Sequence, residues 1–147
     1  MNRKLLTKTM AVMLAALALS PAASQAQSVN TDGDHNAGQV MGTWINPRGT
    51  VKVQTGDCGT NLCGRVVWAA PAAEADARGS GVGQLIGTEL LRDYRAAGTG
   101  HYQGTVYVPD MGRTFYSTID QRDPNDIRIS GCILGGLLCK SQDWHRV

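Results

Sequence analysis

Aromatic residues are scarce in this sequence: there is a single Phe, and Phe, Trp and Tyr together make up 5%. A core must therefore be built mainly from aliphatic side chains. No apolar run approaches the about 20 residues that a membrane-spanning helix needs. The most apolar stretch, Met10 to Leu19 (MAVMLAALAL), is too short to serve as an anchor, so no stable membrane insertion is expected. Gly-x-Ser-x-Gly, a Walker sequence and His-Glu-x-x-His are all missing, which removes the nucleophile-elbow hydrolases, P-loop enzymes and zincins. Gly79, Gly81 and Gly83 do not have dinucleotide-binding spacing and follow a loop. His35, His101 and His145 stand far apart. Glu89 and Asp120 are the one conceivable carboxylate pair, and nothing in the sequence brings them together. The expectation is a protein that is not an enzyme, with no cofactor and no metal site.

What is present begins with an export signal. Arg3, Lys4 and Lys8 precede the short apolar run, Ser20-Pro21 ends it, and Ser24-Gln25-Ala26 offers small residues at the two positions a signal peptidase reads. Residues 1–26 read as a cleavable signal peptide with cleavage after Ala26, and the mature chain as periplasmic or secreted. No lipobox cysteine lies beside the cleavage site, so no lipid anchor is expected. Taking the three basic leader residues from the fourteen Lys and Arg leaves eleven against twelve Asp and Glu. The mature arginines are scattered, and without a basic face nucleic acid is excluded as a partner.

Cys58, Cys63, Cys132 and Cys139 form an even set, which in an exported chain favours two disulfides. Three pairings are open on sequence alone. The local ones, Cys58 with Cys63 and Cys132 with Cys139, are favoured because each brackets a turn: Gly59-Thr60-Asn61 and Gly135-Gly136. Each such loop is worth about 2 to 2.5 kcal/mol in the chain-entropy model. The intervening spacing does not suit a Cys-x-x-Cys redox or zinc pair.

Residues 27–38 are polar and read as a flexible leader; Asp32, Asp34 and His35 in it lack the other ligands of a calcium loop. Residues 39–147 show short alternating runs punctuated by turns, the mark of antiparallel β structure. Eight strands are expected, over Val40 to Ile45, Thr50 to Thr55, Leu62 to Ala69, Leu85 to Leu91, Tyr102 to Val108, Arg113 to Asp120, Asp126 to Ile133 and Leu137 to Val147. Between Ala70 and Gln84 the Ala- and Gly-rich stretch reads as a mobile connection with one helical turn over Ala72 to Ala77, suited to act as a lid, and a second helical turn is expected after Leu91. Tight turns between successive strands favour an all-β, antiparallel up-and-down barrel, which leaves no unpaired edge. A sandwich is the alternative.

The segments GTWINPRGTVKVQTGDCGTNLCGRVVW (42–68), LIG (85–87), GTVYVPDMGRTFY (104–116) and the terminal WHRV (144–147) together resemble the bacterial exported family called domain of unknown function 2147. Gly42-Thr43-Trp44 also resembles the Gly-x-Trp signature of lipocalins. These resemblances imply a lipocalin-like barrel closed at one end by Trp44, with Arg146 stacked across it; Trp144, on the same face of the last strand as Arg146, is expected to be a closure residue with them. The family brings no established activity.

Two functions follow from this reading. In the first, the barrel binds a small apolar or amphipathic ligand among inward side chains: Val51, Val53, Val66, Trp68, Val106, Phe115, Ile119, Ile127 and Ile129. In the second, a filled barrel serves as an interaction or inhibitor module for an envelope protein, with Tyr94, Tyr102, Tyr107 and Tyr116 as contacts if they are exposed. No oligomeric state is read from the sequence.

Overall fold

The computed structural model describes residues 39–147; the expected signal peptide and leader lie outside the described residues. Asn46-Pro47-Arg48-Gly49 makes the first turn as its composition demands, with Gly49 at φ 68° and Asn46 Oδ1 accepting from the backbone N–H groups of Thr50 and Val51. That turn joins β1 (Gly42–Ile45) to β2 (Val51–Cys58). The chain then alternates direction through β3 (Asn61–Ala69), β4 (Glu89–Gly98), β5 (His101–Val108), β6 (Arg113–Asp123), β7 (Asp126–Ile133) and β8 (Leu138–Arg146). Every neighbour pairs antiparallel, and β8 returns to β1, so the eight strands form a closed up-and-down barrel.

One end is sealed by Trp44 and Arg146. The indole is fully buried and donates from Nε1 to Val40 O and Thr55 Oγ1, at 3.0 and 3.1 Å. The Arg146 guanidinium lies over the Trp44 ring, 4.2 Å from its centroid, while its nitrogens donate to three carbonyls: Pro124, Met41 and Gln39. Gly42 stands at φ 143°, and a Cβ on it would lie 2.2 Å from Arg146 Nη1. The Gly of Gly-x-Trp is thus the space that the arginine occupies.

Three elements depart from the sequence expectation. Residues Pro71–Gly79 form a full helix, α1, rather than a mobile connection with one helical turn. Alanine has the strongest helix propensity and Pro71 is acceptable in the first turn; Ala77 is fully buried and packs with Leu85 in the core. The fourth strand starts at Glu89 rather than Leu85 and runs on to Gly98 in place of a helical turn. It contains a bulge: Asp93 sits at φ 54°, and Asp93 and Tyr94 together oppose Gly104 between the Arg92–Thr105 and Arg95–Gln103 pairs. A Cβ on Gly104 would lie 2.7 Å from Tyr94 Cγ, so only glycine admits the bulge. In β3 the pairings Lys52 with Trp68 and Val53 with Val66 skip Val67. That extra residue turns Trp68 out of the barrel, where it is 41% exposed under Lys52.

Replacing Arg146 by Ala should lower the melting temperature by several degrees, corresponding to about 1 to 2 kcal/mol of lost packing and hydrogen bonding. Arg146→Lys should not restore it, since an ammonium cannot reach three carbonyls in the plane of a ring. Thermal unfolding followed by circular dichroism checks both variants, and an unchanged Tm for Arg146→Ala would show that the stack does not hold the seam.

Candidate functional site

The interior divides into two halves. Toward the Trp44 end, Val53, Leu62, Val66, Tyr94, Tyr102, Ile119 and Ile127 are all buried in one apolar cluster. Across its upper boundary Tyr94, aimed inward by the β4 bulge, donates its hydroxyl to Ser117 Oγ at 2.6 Å. Both groups are buried and satisfy each other. Burial raises the Tyr94 phenol pKa far above its ordinary 10.0, against the smaller opposing effect of the Ser117 bond.

Above this layer the interior opens toward solvent. A cavity of about 820 Å³ opens at the end formed by the β1–β2, β3–β4, β5–β6 and β7–β8 connections. Its wall is aliphatic and aromatic, from Val51, Leu90, Leu91, Val106, Phe115, Ile129 and Trp144. Polar groups reach it from Asn46, Arg48 and Thr50 near the first turn, Asp76 on α1, Asp110, and Lys140 and Gln142 on β8. Gly131, on β7, leaves room in the wall: a Cβ there would meet only Val106, at 3.4 Å.

The residues expected to line a cavity therefore fall into three groups. Val51, Val106, Phe115 and Ile129 line it. Val53, Val66, Ile119 and Ile127 are fully packed at the closed end instead. Trp68 faces outward because of the β3 bulge. Trp144 shares a strand face with Arg146 but does not join the Trp44 stack; two residues along a strand is about 6.6 Å, one layer of the interior. It sits at the cavity, with Nε1 donating to Gln142 Oε1 at 3.2 Å. Lys140, Gln142 and the α1 residues Ala73 and Asp76 also line the cavity and were not singled out in the sequence. The period of two along β8, read upward from Arg146, points to Gln142 and Lys140; α1 gave no such signal.

The structure joins Cys58 to Cys63 in the β2–β3 hairpin and Cys132 to Cys139 in the β7–β8 hairpin. The first clamps the closed end and the second the open end. Of the four tyrosines weighed as partner contacts, Tyr94 and Tyr102 are buried, Tyr107 is half-buried beneath the Arg92 guanidinium, and Tyr116 is exposed. His101 pairs with Asp120, and His145 with Asp126, on the barrel surface. Among the described residues no cluster of three or more His, Cys, Asp or Glu is placed to hold a metal ion, and no helix is long and apolar enough to cross a membrane.

Residues 42–146 match a family model described as an uncharacterized protein conserved in bacteria, domain of unknown function 2147. The chain belongs to this family. Domain of unknown function 2147 is thus the family whose segments the sequence carries from Gly42 to the terminal Trp-His-Arg. Among solved structures, this member is similar to a Helicobacter pylori protein described as belonging to the lipocalin family. The two share 15% identity with a TM-score of 0.59, over 73% of this chain and 82% of that one. At that identity the likeness establishes a shared lipocalin-like barrel fold. Comparison with curated proteins gives no match.

The Tyr94–Ser117 layer carries a pH signature. As pH rises through 10, the unfolded chain releases the Tyr94 proton while the folded barrel keeps it. The folded state then binds more protons and stability falls, by up to about 1.4 kcal/mol per pH unit for this group. Tyr94→Phe should cost about 1 kcal/mol at neutral pH by leaving Ser117 unpaired, and should flatten the alkaline loss. Urea unfolding at pH 7 and at successive alkaline values measures both effects; an equally steep loss in the Phe variant would place the proton elsewhere.

Proposed function

We propose that the protein is an exported, non-catalytic binding barrel, periplasmic or secreted, that holds a small apolar or amphipathic molecule in the open half of its interior. The observation that carries this reading is the cavity of about 820 Å³, within the range of small-molecule sites and walled by apolar side chains with a few polar groups. Fold likeness to a lipocalin-family protein agrees with it. An apolar portion of the ligand would contact Val51, Val106, Phe115, Ile129 and Trp144, and a polar portion would meet Lys140 and Gln142 on β8. Two disulfides favour an oxidising compartment. The cavity favours this reading over the interaction module, which assumed a filled barrel.

Trp144 supplies the test, because it lines the cavity while Trp44 is sealed below and Trp68 faces outward. A bromine-labelled alkyl carboxylate should quench the Trp144 emission with saturation. Gly131→Leu, which projects a side chain into the cavity, should weaken that binding at least about tenfold, on the order of 1.4 kcal/mol, while leaving the melting temperature within a few degrees. Native mass spectrometry of the protein isolated from its own cells should show a co-purifying apolar adduct. Linear, unsaturable quenching together with a clean apo mass would defeat the binding reading.

A further inference from the structure

The β7–β8 hairpin ends in Cys132-Ile133-Leu134-Gly135-Gly136-Leu137-Leu138-Cys139, an aliphatic turn where turn chemistry asks for polar residues. Leu134 is 72% exposed and Leu137 87% exposed, and Leu138 and Ile133 are also exposed. Leu134 further adopts φ 53°, a left-handed conformation for which Gly or Asn is the low-energy choice. Neither local conformation nor packing of the barrel accounts for leucine at 134 and 137. The disulfide fixes the hairpin at its base.

We infer that this clamped tip docks the open end of the barrel onto a phospholipid bilayer containing anionic lipid, as a shallow peripheral contact. Leu134 and Leu137 project from the barrel end, beside a shallow recess lined by Tyr116, Gly135, Gly136 and Cys139, and a projecting aliphatic group is suited to pass between headgroups. Its composition separates a lipid surface from a protein partner. Protein hot spots are rich in Trp, Tyr and Arg and poor in Leu, and from Ile133 to Leu138 there is no aromatic, charged or hydrogen-bonding side chain. Basic groups able to meet lipid phosphates flank the tip: Lys140 follows it on β8, Arg113 opens the adjacent β6, and Arg48 lies on the β1–β2 turn at the same end, against the acidic Asp110 on the β5–β6 turn and Asp76 on α1. Met111, 59% exposed on the β5–β6 turn, extends the apolar rim. Continuity with the cavity supplies a further argument. Ile133 and Leu138 belong both to the tip and to the cavity wall, so apolar surface runs unbroken from the tip into the barrel, and a docked barrel opens toward the membrane. The inference rests on the tip and stands apart from whether the cavity is loaded.

The test uses the protein isolated from cells expressing the full chain, its N-terminus defined by mass, and vesicles of phosphatidylethanolamine and phosphatidylglycerol. Flotation should carry the protein with the vesicles. The double variant Leu134→Ser, Leu137→Asp should reduce the bound fraction at least about tenfold. Neither residue lines the cavity, so quenching of Trp144 by the labelled alkyl carboxylate in the absence of vesicles reports the cavity separately and should be unchanged. In a second variant, Leu137→Trp, the new indole should shift to shorter wavelength on vesicles and be quenched by lipids brominated near the headgroup end of the chain. No flotation of the unaltered protein, equal flotation of the double variant, or an indole at 137 that stays in water would each overturn the inference. So would the finding that the tip crosslinks in cells to an envelope protein while the purified protein ignores vesicles.

Discussion

The barrel depends on a seam that is short in backbone bonds and strong in side-chain contacts. β1 is four residues long and pairs with β8 through Trp44 with Arg146 and Ile45 with His145, extended by one backbone bond from Val147 N–H to Thr43 O. So brief a ladder is reinforced where it is weakest: Arg146 stacks on the indole and binds carbonyls from the segment before β1 and from the β6–β7 turn. One guanidinium thus joins three parts of the chain that are distant in sequence. Gly42 belongs to the same device, since any side chain there would displace the arginine. A flat cation suits the role because its faces bind the ring while its edges donate.

Closure at one end decides where space is left at the other. The bulky groups Trp44, Tyr94 and Tyr102 are concentrated in the buried lower half, and the Tyr94–Ser117 bond spans the boundary. Above it the wall is lined mainly by Val, Leu and Ile, with Gly131 among them and Phe115 and Trp144 as its large members. An eight-stranded ring is only just wide enough for its own side chains to fill it, so the distribution of large residues along the axis, more than the total apolar content, separates a packed interior from a hollow one.

The strands and turns were legible because each rests on neighbours in sequence: alternation over five or six residues, Asn-Pro-Arg-Gly, Asp-Pro-Asn, and cysteine pairs that bracket glycines. The bulges were not. Val67 turns Trp68 outward, and Asp93 at φ 54° aims Tyr94 inward, because two residues on one strand oppose one on its partner. That count is a property of the pair of strands and appears in neither alone. The same limit explains why Val53, Val66, Ile119 and Ile127 shared the inward pattern of Ile129 but not its place at the cavity: alternation tells face, not height along the barrel axis. The helix α1 was partly legible, since its alanines favoured a turn of helix, but its length depended on docking Ala77 against the core.

The order of the strands has a consequence for how the chain comes to be folded. Each intermediate strand lies beside the one that precedes it in the chain, so its partner is near in sequence. β1 gains its second partner only when β8 arrives, bringing Arg146, the arginine that secures the seam. Until then the growing sheet carries two raw edges, each ready to pair with a foreign strand. Both disulfides lie within single hairpins and cannot hold those edges together. The period of greatest exposure to aggregation therefore ends when β8 closes on β1, and a protein of this strand order relies on being kept apart from its own copies until that strand is in place.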